Sequence, residues 1–272
     1  MIDLHLHTTA SDGLLTPREL VERASLGGLS VMAVTDHDTT AAVPEVRAAA
    51  RERGIEAISG IEITAVENGR DVHVLGYFID PLNAALAEFL TSQRASRIAR
   101  VEAIVARLAS LGLPVDGGTL MRQAGDGSGR SIGRPQVARA MVEAGHVADT
   151  REAFDRWLGF GSPAFVARAG TAAEAVIGII HRAGGIASLA HPGKTRIDTR
   201  IKPLKDAGLD ALEAFHPDHD AEAVQRYVRL ARDLGLHLTG GSDFHGDPRH
   251  GLTPGSVILP AEEWGRLTAL RL

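Results

Sequence analysis

Ile2-Asp3-Leu4-His5-Leu6-His7 opens the chain in strict alternation. Successive side chains leave opposite faces of a strand, so Asp3, His5 and His7 share one face and Ile2, Leu4 and Leu6 the other. The apolar face suits burial under helices. The polar face brings two imidazoles, two residues apart, to one place, where they can ligate a single ion. Asp12, in the turn Ser11-Asp12-Gly13, can fold back to add a carboxylate.

Outward from this segment the same style recurs. Buried strands are expected at Val31 to Asp36, Glu56 to Glu62, Asp71 to Phe78, Ile186 to His191, Ala211 to His216 and His237 to Asp243, each ending in polar residues. Between them lie helical patterns. Thr16-Pro17-Arg18-Glu19 is a capping box with proline at the first helical position, and Thr171-Ala172-Ala173-Glu174 repeats the device. Pro217 to Leu234 and Pro260 to Leu270 read as two more helices. Strands alternating with helices predict an α/β fold with parallel strands. Active-site groups of such barrels gather at the carboxyl ends of the strands, where these polar clusters fall.

From about Ala84 to Val166 no strand pattern appears. Ala84 to Leu113 is a long amphipathic pattern, and Gln136 to Ala144 and Thr150 to Leu158 are helical again. The expected organisation is a barrel in two parts, 1–83 and 167–272, around a mostly helical insertion, 84–166. The run Gly125-Asp126-Gly127-Ser128-Gly129-Arg130 lacks the Gly-Lys-Ser/Thr of a P-loop and the last glycine of a dinucleotide fingerprint, and reads as a flexible substrate-side loop.

Composition narrows the chemistry. The 272 residues include no cysteine, so any metal must sit on nitrogen and oxygen. A formal charge of −5 gives no bulk attraction to nucleic acid, and no DNA-binding surface is evident. No apolar run nears the roughly 20 residues of a membrane helix, and no signal-peptide pattern opens the chain, so the expected location is cytoplasmic. Histidine is prominent at 12 residues, mostly in short clusters.

Taken singly, these residues have ordinary explanations. His73 would be a core or cross-strand histidine, and Asp36 and Asp38 would cap the next helix. His216 and His219 would lie at a helix start, while His146, His181, His237 and His250 would be structural or solvated. Taken together they do not, because buried imidazoles and carboxylates that converge are costly without partners and are best satisfied by cations.

His5-x-His7 with Asp12, Thr35-Asp36-His37, Gly60-Ile61-Glu62, His73, Ala190-His191-Pro192 and Ser242-Asp243-Phe244-His245 resemble the PHP (polymerase and histidinol phosphatase) superfamily across essentially the whole chain. The resemblance implies a distorted (β/α)7 barrel with a site for three divalent metal ions. Its ligands would be His5, His7, Asp12, His37, Glu62, His73, His191, Asp243 and His245. Mn2+ suits these donors, as do Fe2+ and Zn2+. Six neutral imidazoles and three carboxylates around three divalent ions leave roughly 6 − 3 = 3 positive charges, enough to draw a phosphate into an acidic protein.

Motif order and the helical insertion are most similar to the subgroup of 3′,5′-bisphosphonucleotide phosphatases and 5′-3′ exoribonucleases. That likeness implies hydrolysis of nucleotide phosphate esters, or trimming of short RNA, by a metal-activated hydroxide. His37, His191 and Asp243 would stand at the reacting centre, and Arg134, Lys194 and His216 at the substrate. Arg130 lies close enough in sequence to Arg134 to compete for its place. The alternatives are a phosphatase for a small non-nucleotide ester such as histidinol phosphate, and a non-catalytic or polymerase-associated metal-binding module. Oligomeric state is not legible.

Overall fold

The structure, a computed structural model, describes residues 1–125, 127–168 and 170–271, apart from the side chains of Gln123 and His250. The Gly125 to Arg130 run is thus outside the described residues at Asp126, and so is the His250 side chain. Seven strands form one sheet in sequential order. They are β1 (Ile2–Leu6), β2 (Val31–Val34), β3 (Glu56–Glu67), β4 (Arg70–Tyr77), β5 (Ile186–Leu189), β6 (Ala211–Phe215) and β7 (His237–Gly240). A Leu6–Phe244 bridge and the bond from the His7 amide to the Phe244 carbonyl, 3.0 Å, nearly close it into a barrel. The α/β barrel expected from the sequence is therefore present.

One expectation is overturned. The strands are not all parallel, because β4 runs antiparallel to both β3 and β5. The β3–β4 hairpin turns at Asn68 and Gly69, which both have positive φ, 50° and 76°. Asn-Gly between two apolar runs is a strong local hairpin signal. It stands in the sequence and identifies this antiparallel pair. As a consequence His73 reaches the site from the first half of its strand rather than from a carboxyl end.

Helices pack outside the barrel: α1 (Pro17–Leu26), α2 (Val43–Glu52), α3 (Ala84–Ser110), α4 (Gly117–Gly125), α5 (Arg134–Glu143), α6 (Thr150–Ala153), α7 (Ala173–Arg182), α8 (Pro192–Thr195), α9 (Asp198–Asp206), α10 (Ala221–Leu234) and α11 (Ala261–Thr268). The capping box at α1 forms as expected. The one expected at α7 does not: Ala172 caps that helix without a side-chain bond, and Glu174 pairs with Arg200. Nor does Asp36 or Asp38 cap α2, whose first turn follows Ala42.

Between β4 and β5 lie α3 to α7, with a π-helical turn, Phe154–Leu158, directly after α6. Leu86 and Leu90 on α3 join the core of the barrel, while Val101, Ile104 and Leu108 farther along join a separate cluster with Ile132, Val137 and Met141. One uninterrupted helix thus links two apolar cores. No helix among the described residues is long and apolar enough to cross a membrane.

Candidate metal centre

All nine residues proposed as ligands meet at one end of the barrel. Glu62 on β3 is the hub, with Oε2 3.3 Å from Nε2 of both His5 and His7 and 3.1 Å from His37 Nδ1. Its Oε1 is 2.6 Å from His73 Nδ1 and 3.1 Å from His191 Nε2. Asp243 Oδ1 lies 3.3 Å from His5 Nε2 and 3.2 Å from His7 Nε2. Asp12 faces His7, His37 and His245 at 3.6, 3.5 and 3.3 Å. Four overlapping sets have donor atoms within 4.8 Å of one another: His7-Asp12-His37-His245, His5-His7-Glu62, His37-Glu62-His73 and His5-His216-Asp243.

The donors fit divalent cations. Both ring nitrogens of His7, with Nδ1 of His37 and of His191, are buried and, although carboxylate oxygens lie near some of them, make no well-aligned hydrogen bond among the described residues. Buried polar atoms are seldom left so unless something else satisfies them. Nitrogen lone pairs and carboxylate oxygens aimed at a common point leave a cation as the natural partner. Electrostatics agree. Burial pushes the imidazoles of His37 and His191 down to about 3 and about 4, so both are neutral at pH 7. Burial would raise the carboxyls of Asp12, Glu62 and Asp243, yet the imidazoles around them hold each well below the usual range. His5 and His245 move against burial. Glu213, Asp243 and Glu62 raise His5 well above the imidazole range, and Asp12 and Asp243 raise His245 to about 9.

The backbone is bent to serve this convergence. His191 and Asp243 come after β5 and β7 with φ of 28° and 48°, a region that L side chains avoid. Strain of this kind persists where the surroundings impose it.

Several supporting groups were not legible in the sequence. Glu213, fully buried on β6, accepts from His5 Nδ1 at 2.8 Å and from the His191 amide at 2.8 Å. A carboxylate can only accept, so in its neutral, ligating form His5 keeps its proton on Nδ1 and turns the Nε2 lone pair to the centre. The one signal was a lone glutamate in an apolar strand, Ala211-Leu212-Glu213-Ala214-Phe215. Asp36 accepts from the Thr8 amide and hydroxyl and the Ser11 hydroxyl, ordering the loop that carries Asp12. His219 donates from Nδ1 to the Ala214 carbonyl and accepts the Gly193 amide on Nε2 at 3.1 Å, which holds the loop between His191 and Lys194.

The residues proposed for substrate divide. His216 lies among the ligands, with Nε2 3.3 Å from Asp243 Oδ2. Its Nδ1 accepts the Asp218 amide, so a neutral ring keeps its proton on Nε2 and acts as a donor there. Lys194, half-exposed, places Nζ 3.7 Å from both Asp218 and Asp243. Arg134 stands farther out, with Nη2 2.9 Å from Asp71 and Nη1 on the Leu158 carbonyl. Arg130 turns away, donating to the Thr9 carbonyl beside a cavity of about 500 Å³. Three arginines that no sequence motif singled out join Arg134 on this side. Arg100 shares Asp71, while Arg97 and Arg168 share buried Asp38. His181 pairs with Asp210, and His146 bonds the Pro114 carbonyl, both away from the ligand cluster.

The run Gly129-Arg130-Ser131-Ile132-Gly133 matches the Gly-x-Ser-x-Gly pattern of a nucleophile elbow. Ser131 comes after an irregular stretch rather than a strand, and its buried hydroxyl has no hydrogen-bond partner among the described residues, so none of them activates it as a nucleophile.

The PHP domain profile matches residues 3–184. The chain is 38% identical to a 5′-3′ exoribonuclease of Haemophilus influenzae, with 89% of each chain covered. It is 35% identical to the 3′,5′-nucleoside bisphosphate phosphatase of Chromobacterium violaceum, covering 90% of this chain and 87% of that one. Among solved structures, a Bifidobacterium adolescentis protein assigned to the metal-dependent phosphoesterases superposes with a TM-score of 0.90 at 33% identity, over 100% of this chain and 96% of its own.

Proposed function

This chain belongs to the PHP-domain family, and from that premise we propose that it is a metal-dependent phosphoesterase acting on nucleotides. Its reaction would be loss of phosphate from 3′,5′-bisphosphonucleotides, release of mononucleotides from the 5′ end of short RNA, or both. The observation that carries this reading is the ring of six imidazoles and three carboxylates around Glu62, Asp12 and Asp243, flanked by Lys194 and the arginines near Asp71. Bound divalent cations, Mn2+ first and three in number, would supply Lewis acidity toward phosphoryl oxygens and acidify water.

The chain's own residues do the rest. His5, His7, Asp12, His37, Glu62, His73, His191, Asp243 and His245 hold the cations, and His37, His191 and Asp243 border the reacting phosphorus. Glu213 keeps His5 in the ligating tautomer. Lys194 and His216 offer N–H donors beside Asp243 to the non-bridging oxygens. Arg134 takes the second phosphate or the next linkage of the strand. Residues 84–166 form an inserted unit that carries this outer arginine, a division supported by its separate apolar core.

The deciding experiment offers the purified Mn2+-loaded protein 3′,5′-bisphosphoadenosine, AMP, histidinol phosphate and a short 5′-phosphorylated RNA side by side. Preferred turnover of the bisphosphate or the RNA is expected. Preference for histidinol phosphate would overturn the nucleotide assignment and leave the metal centre standing.

A further inference from the structure

A track of alternating cations and aromatic rings leads outward from His73. Asp71, two residues before it on the same face of β4, holds Arg134 and Arg100 at 2.9 and 2.7 Å. Their guanidinium carbons lie 5.9 and 5.5 Å from the ring centre of Phe165. Phe165 meets Phe160 edge-on, with centroids 5.3 Å apart and planes at 62°. Phe160 is 56% exposed, among the largest exposures of any bulky apolar side chain in the described residues, and Arg70 stands 4.4 Å over its ring. Arg70 is three residues from His73 on one strand, about 10 Å along it.

This track has a second unusual feature. The turn that leads into Phe160 is π-helical, Phe154–Leu158, and its Leu158 carbonyl accepts from Arg134. Single π-turns recur at functional sites, because the extra residue re-aims the side chains beyond it. Here it both anchors an arginine and projects a phenylalanine into solvent. An exposed aromatic costs hydration unless a partner covers it, and guanidinium groups interleaved with rings are the combination that holds nucleic-acid strands: rings take bases, cations take phosphates. A polypeptide partner would need a broad apolar face, whereas this is a narrow file of single residues.

We propose that Phe160 is the stacking platform for the base of the substrate nucleotide, with the Arg70 guanidinium that lies over the ring giving way to the base and Arg134 directed to its phosphate. The proposal rests on the nucleotide reading above and adds to it a residue that selects for a base. Any base presents a ring face, so selection is for the presence of a base rather than for its identity.

The test compares 3′,5′-bisphosphoadenosine with the abasic analogue 1-deoxyribose 3,5-bisphosphate, using the full-length Mn2+-loaded protein. In the parent protein the base-bearing compound has the higher kcat/KM. Phe160→Ala lowers the ratio of the two kcat/KM values about tenfold, mostly through KM. Phe160→Leu lowers it comparably, and Phe160→Trp restores it. Because Phe160 is exposed, these variants fold. If the ratio is unchanged, or both compounds lose equally, Phe160 is a structural clasp and the platform is overturned. If the parent protein turns over neither of these compounds nor a short 5′-phosphorylated RNA but hydrolyses histidinol phosphate, the nucleotide reading itself has failed and the platform falls with it.

Discussion

Glu213→Gln replaces one oxygen of a buried carboxylate by an amide nitrogen and changes its volume little. Two donors face that carboxylate, His5 Nδ1–H and the His191 amide, each at 2.8 Å. A carboxylate offers an acceptor to both; an amide offers one oxygen and one NH2 group, so one donor must be left facing another donor. An orphaned buried donor costs about 1–3 kcal/mol. Each kcal/mol lowers the melting temperature of a protein of this size by about 2–4 °C. If the orphan is His5, the ring is free to rotate or shift its proton to Nε2, the atom facing Glu62 and Asp243. Loss of such an outer partner typically weakens metal binding or activity about 10- to 100-fold. The assay has two arms: thermal unfolding with excess chelator, which reads the orphaned donor, and competition of Mn2+ against a chelating dye, which reads the ligand tautomer. A variant that melts with the parent protein and binds Mn2+ within twofold of it would refute the argument that Glu213 positions His5.

Four further outcomes are expected besides the Phe160 series above. At pH 7 the metal-free centre holds protons on His5 and His245, so Mn2+ binding should expel about two, measured calorimetrically in buffers of different ionisation enthalpy; none expelled would contradict it. His245 has its folded value raised from 6.5 to about 9, so the stability it lends the metal-free protein is full below pH 6.5 and lost as pH rises through about 9. His245→Asn should therefore cost stability at pH 6 and much less above pH 9, and a deficit constant across that range would count against it. At Gly193 a Cβ would meet His219 at 2.7–2.8 Å, so Gly193→Ala should displace the Lys194 loop and lower kcat/KM about tenfold; unchanged kinetics would show that the loop yields freely. Asp38→Ala strips buried Arg168 and Arg97 of their counter-ion, and urea unfolding should register a loss of about 3–5 kcal/mol; a loss under about 1 kcal/mol would mean that water reaches these arginines.

The sequence by itself determined the barrel's strands and the shared face of His5 and His7, because both depend on spacing along one strand; the full set of nine proposed ligands came from the family resemblance. Alternation puts His5 and His7 on one face whatever the strand's neighbours are. The polar residues after each apolar run fall at its end by chain order alone. Strand direction was also within reach, since Asn68-Gly69 marks a hairpin that strand-helix alternation obscures. The tertiary structure alone decided what depends on residues far apart in the chain. Glu213 and His5 are 208 positions apart, Asp38 and Arg168 are 130 apart, and no local pattern links either pair. Likewise Arg70, Phe160 and Phe165 look like unrelated surface residues until a hairpin and an inserted π-turn bring them together. Ligand type is a property of the side chain and can be read locally. Tautomer, pairing and stacking depend on which groups surround that side chain, and only the closed chain brings those groups together.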